Sequence, residues 1–83
     1  MVITDIRLNK VDSAKVKAVA SITFDECFVV TDVKVIENNK GLFVAMPSKR
    51  NSDGTFQDVA HPINTETRLY IQNSVLEEYN KQN

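Results

Sequence analysis

The chain is predicted to adopt an α+β fold, a mainly antiparallel β-sheet with one long C-terminal helix. Three observations predict it. Residues 16–24, VKAVASITF, alternate with period two: Val16, Ala18, Ala20, Ile22 and Phe24 on one face, Lys17, Ser21 and Thr23 on the other. Residues 42–46, LFVAM, form a continuous apolar run between Gly41 and Pro47, which fits a strand buried on both faces or lying at an interface. Past Asn64 and Thr65, either of which suits a helix N-cap, Leu69, Ile71, Val75, Leu76 and Tyr79 recur at helical spacing. Glu66 there complements the positive end of the helix dipole.

The remaining elements follow in chain order. Residues 2–10 alternate as a strand, with Ile6 and Leu8 toward the core and Asp5, Arg7 and Asn9 toward water. Asp12 and Ser13 make a turn into the second strand, so that Arg7 and Lys17 share the solvent face of a hairpin. Adjacent residues of a strand point to opposite faces, so Asp25-Glu26 reads as a turn and not as a pair of catalytic carboxylates. A short third strand, CFVV, follows, in which Cys27 is expected to act as a small hydrophobe in a half-buried stretch.

Residues 31–38 fit either one or two helical turns or a strand. Val33 and Ile36 lie three apart, with Thr31 or Asp32 as a cap and Asn39–Gly41 as an end, so a short helix is the preferred reading, although the β-branched residues argue for a strand. After LFVAM, SKRNSDGT is a loop or hairpin turning at Asp53-Gly54, and FQDVA returns as a strand that His61-Pro62 ends.

Eighty-three residues make one domain, spanning 1–83. A chain this short buries only about 60% of the surface its unfolded form exposes, so self-association is the expected support. One cysteine rules out a disulfide within the chain and fits a reducing cytoplasm, and one cysteine with one histidine does not make a zinc site. No cofactor is expected. MVITDIRLNK lacks the layout of a secretory signal, and no segment approaches the ~20 apolar residues of a membrane span, so a soluble, cytoplasmic protein is expected. With no low-complexity tract, order is expected up to the last residues, KQN.

The formal net charge of -1 conceals blocks: +2 over residues 1–17, -3 over 18–32, +3 over 33–50 and -3 thereafter. Local field rather than net charge steers a polyanion. Catalytic arrangements are not expected: nothing places Cys27 beside His61, and Gly41 and Gly54 stand alone rather than in a phosphate loop. The chain is therefore expected not to be an enzyme. The binding candidates are Ser48, Lys49 and Arg50, a hydroxyl, a point charge and a bidentate fork together on a loop held by a buried strand and a proline. Phe43 and Phe56 flank that loop and offer base-stacking surfaces, but core packing is the expected fate of both.

The stretches VITDIRL, KAVASITFDECFVVTDVKVIE, GLFVAMPSKR and DGTFQDVAHPIN, with the closing amphipathic helix, closely resemble the stage V sporulation protein G family, from Val2 to about Tyr79. The departures lie at the tips, in VDSAKVK, NNKG and Asn51-Ser52. The resemblance implies a small cytoplasmic bacterial regulator of sporulation, asymmetric septation and gene expression. Such a protein binds DNA, and in some members RNA, as a homodimer. It also implies that Lys49 and Arg50, on the family's Pro-Ser-Lys-Arg motif, contact nucleic acid. The alternative is a protein-interaction adaptor of division or sporulation with no direct nucleic-acid role.

Overall fold

A computed structural model describes residues 1–82. Strands β1 (Ile3–Lys10), β2 (Val16–Phe24), β3 (Phe28–Asn38) and β4 (Gly41–Ala45) form one antiparallel sheet in that spatial order. A separate hairpin pairs β5 (Ser48–Arg50) with β6 (Phe56–Asp58), and helix α1 (Thr65–Lys81) ends the chain. The α+β expectation holds.

The alternation in β2 organises the core. Ala18, Ala20, Ile22 and Phe24 are all buried, and with Leu8, Val33, Val35, Val44, Ile71 and Val75 they make one apolar cluster between sheet and helix. The helix is started by Asn64, whose Oδ1 accepts from the Thr67 N–H at 2.8 Å. Ile71 and Val75 sit one turn apart on its buried stripe, whereas Leu69 is exposed. The Tyr70 hydroxyl accepts from the Ile3 N–H at 2.9 Å and ties the helix to β1. Of KQN, Lys81 is the last helical residue and Gln82 caps the helix in a turn; Asn83 lies outside the described residues.

Two backbone devices keep β3 in phase with β2. The first is the turn between them. Asp25 and Glu26 have φ of 52° and 58°, and the Phe24 carbonyl accepts from the Cys27 N–H at 3.0 Å, the geometry of a type I′ hairpin turn. Left-handed backbone is unfavourable for Glu, and the chain offsets it with a clamp from the N-terminus. Asp25 exchanges hydrogen bonds with Val2, donating N–H to its carbonyl at 2.7 Å and accepting its N–H on Oδ1 at 3.0 Å. The Glu26 N–H donates to Thr4 Oγ1 at 2.9 Å. This turn takes in Cys27, which is exposed instead of half-buried in a strand. With Phe24 paired to Phe28, Cys27 is the last of three loop residues at the hairpin end rather than a strand residue.

The second device is a bulge. Val30 pairs with Ile22 and Val33 with Ala20, so three steps along β3 oppose two along β2, and Asp32 takes φ 61° in between. The extra residue brings both Val30 and Val33 to the core side, which strict alternation forbids. The short helix preferred for residues 31–38 is therefore replaced by strand. The spacing of three that reads as a helical turn belongs to the bulge, and Val33 and Val35 are the residues buried after it.

Of the two readings of LFVAM, burial on both faces does not hold within this chain, and a place at an interface is the one that remains. Strand β4 is an edge strand with Val44 buried on one face and Phe43, at 37% exposure, on the other. Only one face of the sheet has a helix over it, so an apolar run is not buried on both sides within this chain.

Replacing Glu26 by Gly removes a left-handed side-chain penalty of about 1–2 kcal/mol against a smaller entropic loss, so the variant should be more stable by roughly 0.5–1 kcal/mol. Asp32→Val, with a β-branched residue at the bulge, should be less stable by about 1–2 kcal/mol. Urea titration followed by circular dichroism measures both.

Candidate nucleic-acid interface

The SKR segment is not a loose loop. Pro47 is buried at its base, where its carbonyl accepts from the Val59 N–H at 2.8 Å. Ser48 pairs with Asp58, Lys49 with Gln57 and Arg50 with Phe56. At the tip the Asn51 N–H donates to the Thr55 carbonyl at 2.7 Å, and the Gly54 N–H to the Asn51 carbonyl at 3.0 Å. Gly54 takes φ 93° to close the turn, a conformation that favours a residue without Cβ. Asp53 braces the tip: its Oδ1 accepts from Thr55 Oγ1 at 2.7 Å and from the Thr55 N–H at 3.0 Å. The Thr55 hydroxyl, then the Thr55 amide, hold the Asp53 carboxyl below its ordinary value.

Strand geometry separates the two cations. Lys49 and Gln57 project from one face of the ribbon; Ser48, Arg50, Phe56 and Asp58 project from the other. The expected cluster of Ser48, Lys49 and Arg50 is thus divided, with Ser48 and Arg50 together and Lys49 behind them. All six strand residues of the hairpin are exposed. Among the described residues neither Lys49 nor Arg50 forms an ion pair.

Other cations are more engaged. Arg7 Nε meets Asp5 Oδ2 at 3.2 Å, Lys17 Nζ lies 3.7 Å from Glu37 Oε1, and Lys10 Nζ sits 4.8 Å above the Tyr79 ring. Lys34 forms no ion pair among the described residues and stands on the outer sheet face opposite Ala45.

Phe56 overturns a sequence expectation, being 71% exposed rather than packed in the core. Three-residue strands on such a ribbon have nothing to pack against. Gln57, opposite Lys49, escaped sequence reasoning because only the register assigns it a neighbour. Elsewhere, His61 Nδ1 lies 3.1 Å from the Pro62 carbonyl, in an exposed connector. No three His, Cys, Asp or Glu side chains among the described residues come together as a metal site. An apolar cavity of about 160 Å³ opens between sheet and helix start, lined by Ile22, Phe24, Phe28, Met46, Pro62 and Ile71 among others.

The Asp53 brace has a testable consequence. A carboxyl with a depressed folded pKa contributes above its unfolded value and loses that contribution as pH falls through the lower one. Tip protection should therefore be complete well above pH 3.8 and vanish on acidification below it. Asp53→Ala should remove it at neutral pH, speeding hydrogen exchange at the Thr55 and Gly54 amides while sparing Ile22.

Residues 1–81 match the family model described as SpoVG. Three relatives named "Putative septation protein SpoVG" show the extent of the likeness. That of Anaeromyxobacter sp. strain Fw109-5 is 54% identical over 82 residues, covering 99% of this chain and 84% of the relative. That of Clostridium perfringens strain 13 is 56% identical over 82 residues, covering 98% and 91%. That of Acetivibrio thermocellus is 59% identical over 80 residues, covering 95% and 85%. With the family model spanning nearly the whole chain and identity above half over the same length, the chain belongs to the SpoVG family.

Proposed function

We propose that this chain is a nucleic-acid-binding regulator of septation and sporulation that acts as a homodimer in the cytoplasm, and that it is not an enzyme. The septation and sporulation part follows from family membership and the relatives' names. The observation that carries the binding part is the β5–β6 hairpin, a braced ribbon that holds Lys49 and Arg50 in solvent without carboxylate partners among the described residues. A two-stranded ribbon is narrow enough to enter a major groove, and cations on both faces reach phosphates on either side.

A homodimer is supported by the edge strands and by exposed apolar side chains. Strand β4 has a free edge, and Phe28, Val29, Val59 and Ile63 are exposed. A twofold axis would duplicate the hairpin. No described helix is long and apolar enough to cross a membrane.

The second reading, a protein-interaction adaptor, draws on the apolar cavity beside Phe28 and Met46. A pull-down that resists nuclease and is lost on deleting residues 64–83 would favour it.

Two hairpins carrying two cations each would neutralise about four phosphates, so the log of duplex affinity should fall with log salt at a slope near -3.6. Lys49→Ala/Arg50→Ala should strongly weaken binding in a low-salt shift assay and flatten the slope of the binding that remains. A folded, dimeric double variant that binds DNA and RNA unchanged would remove the site. Light scattering at micromolar concentration should give twice the chain mass; a monomer would remove the dimer.

A further inference from the structure

Arg50 and Phe56 are directly opposite each other, and the ladder fixes how closely. Hydrogen bonds join Val59 to Pro47 and Asn51 to Thr55, so the pairs 47/59, 49/57 and 51/55 are hydrogen-bonded and Arg50/Phe56 is not. Side chains of a non-hydrogen-bonded pair stand closest. One face of the ribbon therefore sets a largely exposed aromatic ring against a guanidinium with no ion pair among the described residues.

From this juxtaposition we infer that Phe56 is a stacking platform for an unpaired base and Arg50 the clamp on its phosphate, which makes single-stranded nucleic acid a ligand of this face. This rests on the proposed nucleic-acid role and assigns that site its substrate class. A base within a duplex is already stacked on both sides and offers the ring no free surface, whereas an unpaired base does. Guanidinium beside ring recognises phosphate and base together, and Ser48, two residues from Arg50 on the same face, adds a neutral donor. Two carboxylates bound the path. Asp58 lies opposite Ser48 at the ribbon base, and Asp53 lies at the tip. Like charge repels the backbone at both, so the strand crosses between them, over Arg50 and Phe56. The opposite face, with Lys49 and Gln57, carries no ring and supplies only charge and an amide.

The test uses full-length protein, fluorescence anisotropy at low salt and four probes of one sequence: single-stranded DNA, single-stranded RNA, their DNA duplex, and a DNA strand with abasic sites. Phe56→Leu keeps the exposed apolar bulk without the aromatic face and should weaken both base-bearing single strands by roughly tenfold. It should change duplex and abasic-strand affinity less than twofold and leave the salt slope as it was, since no charge is lost. Phe56→Tyr should retain wild-type affinity. The DNA and RNA arms distinguish the two sources of unpaired base. If Phe56→Leu weakens duplex and single strand equally, or neither, the stacking role is overturned while the function stands. A change in subunit association by light scattering would overturn it too, by placing the ring in a protein contact. Wild-type protein that binds none of the probes removes the function reading and this inference together.

Discussion

Burial of one face of one strand under one helix is the constraint on which the molecule depends. Strand β2 places Ala18, Ala20, Ile22 and Phe24 on a single side, and Ile71 and Val75 of α1 close over them with the flanking strands. Small residues at positions 18 and 20 let neighbours approach, while Ile22 and Phe24 supply bulk at the end nearer the Asp25–Glu26 turn. Everything else in the sheet is an adjustment to keep β1 and β3 in register with that face. Such a small core tolerates no phase error, because a slip of one residue would turn the apolar set to water.

The local exceptions in the backbone serve that requirement. Asp25, Glu26 and Asp32 accept left-handed backbone that a side chain disfavours, at the two places where β3 must be aligned with β2. Hydrogen bonds from Val2 and Thr4 hold the turn, so the first residues of the chain act as a strap across a hairpin more than twenty positions away. Two-layer architecture has the converse effect on the outer sheet face. With no second layer, Phe43 and the edge of β4 stay partly open, and the apolar ends around Phe28 and Ile63 remain at the surface. That exposure is what supports the proposal of a partner subunit.

The hairpin that carries the candidate site stands apart from this core. It draws its order from its own ladder, from Pro47 at the base and from the Asp53–Thr55 brace at the tip, so its side chains are free of packing duties. Freedom from the core is what allows Lys49, Arg50, Gln57 and Phe56 all to face solvent. Charge is local here: ion pairs absorb Arg7 and Lys17 on the sheet, while the ribbon cations keep their field.

Period-two alternation in VKAVASITF, a capped helical stripe from Asn64 and an Asp-Gly turn were enough to determine the sheet, the helix, the hairpin and the presence of Lys49 and Arg50 upon it. Those features are local, set by side-chain spacing and turn chemistry within a few residues. Tertiary structure alone decided that residues 31–38 are strand, that LFVAM forms an edge, that Cys27 is exposed and that Phe56 lies outside the core. Each of these depends on a distant neighbour. A bulge is visible only against the strand it mispairs with, burial only against the layer that covers it, and the division of Ser48, Lys49 and Arg50 between two faces only in the register with β6.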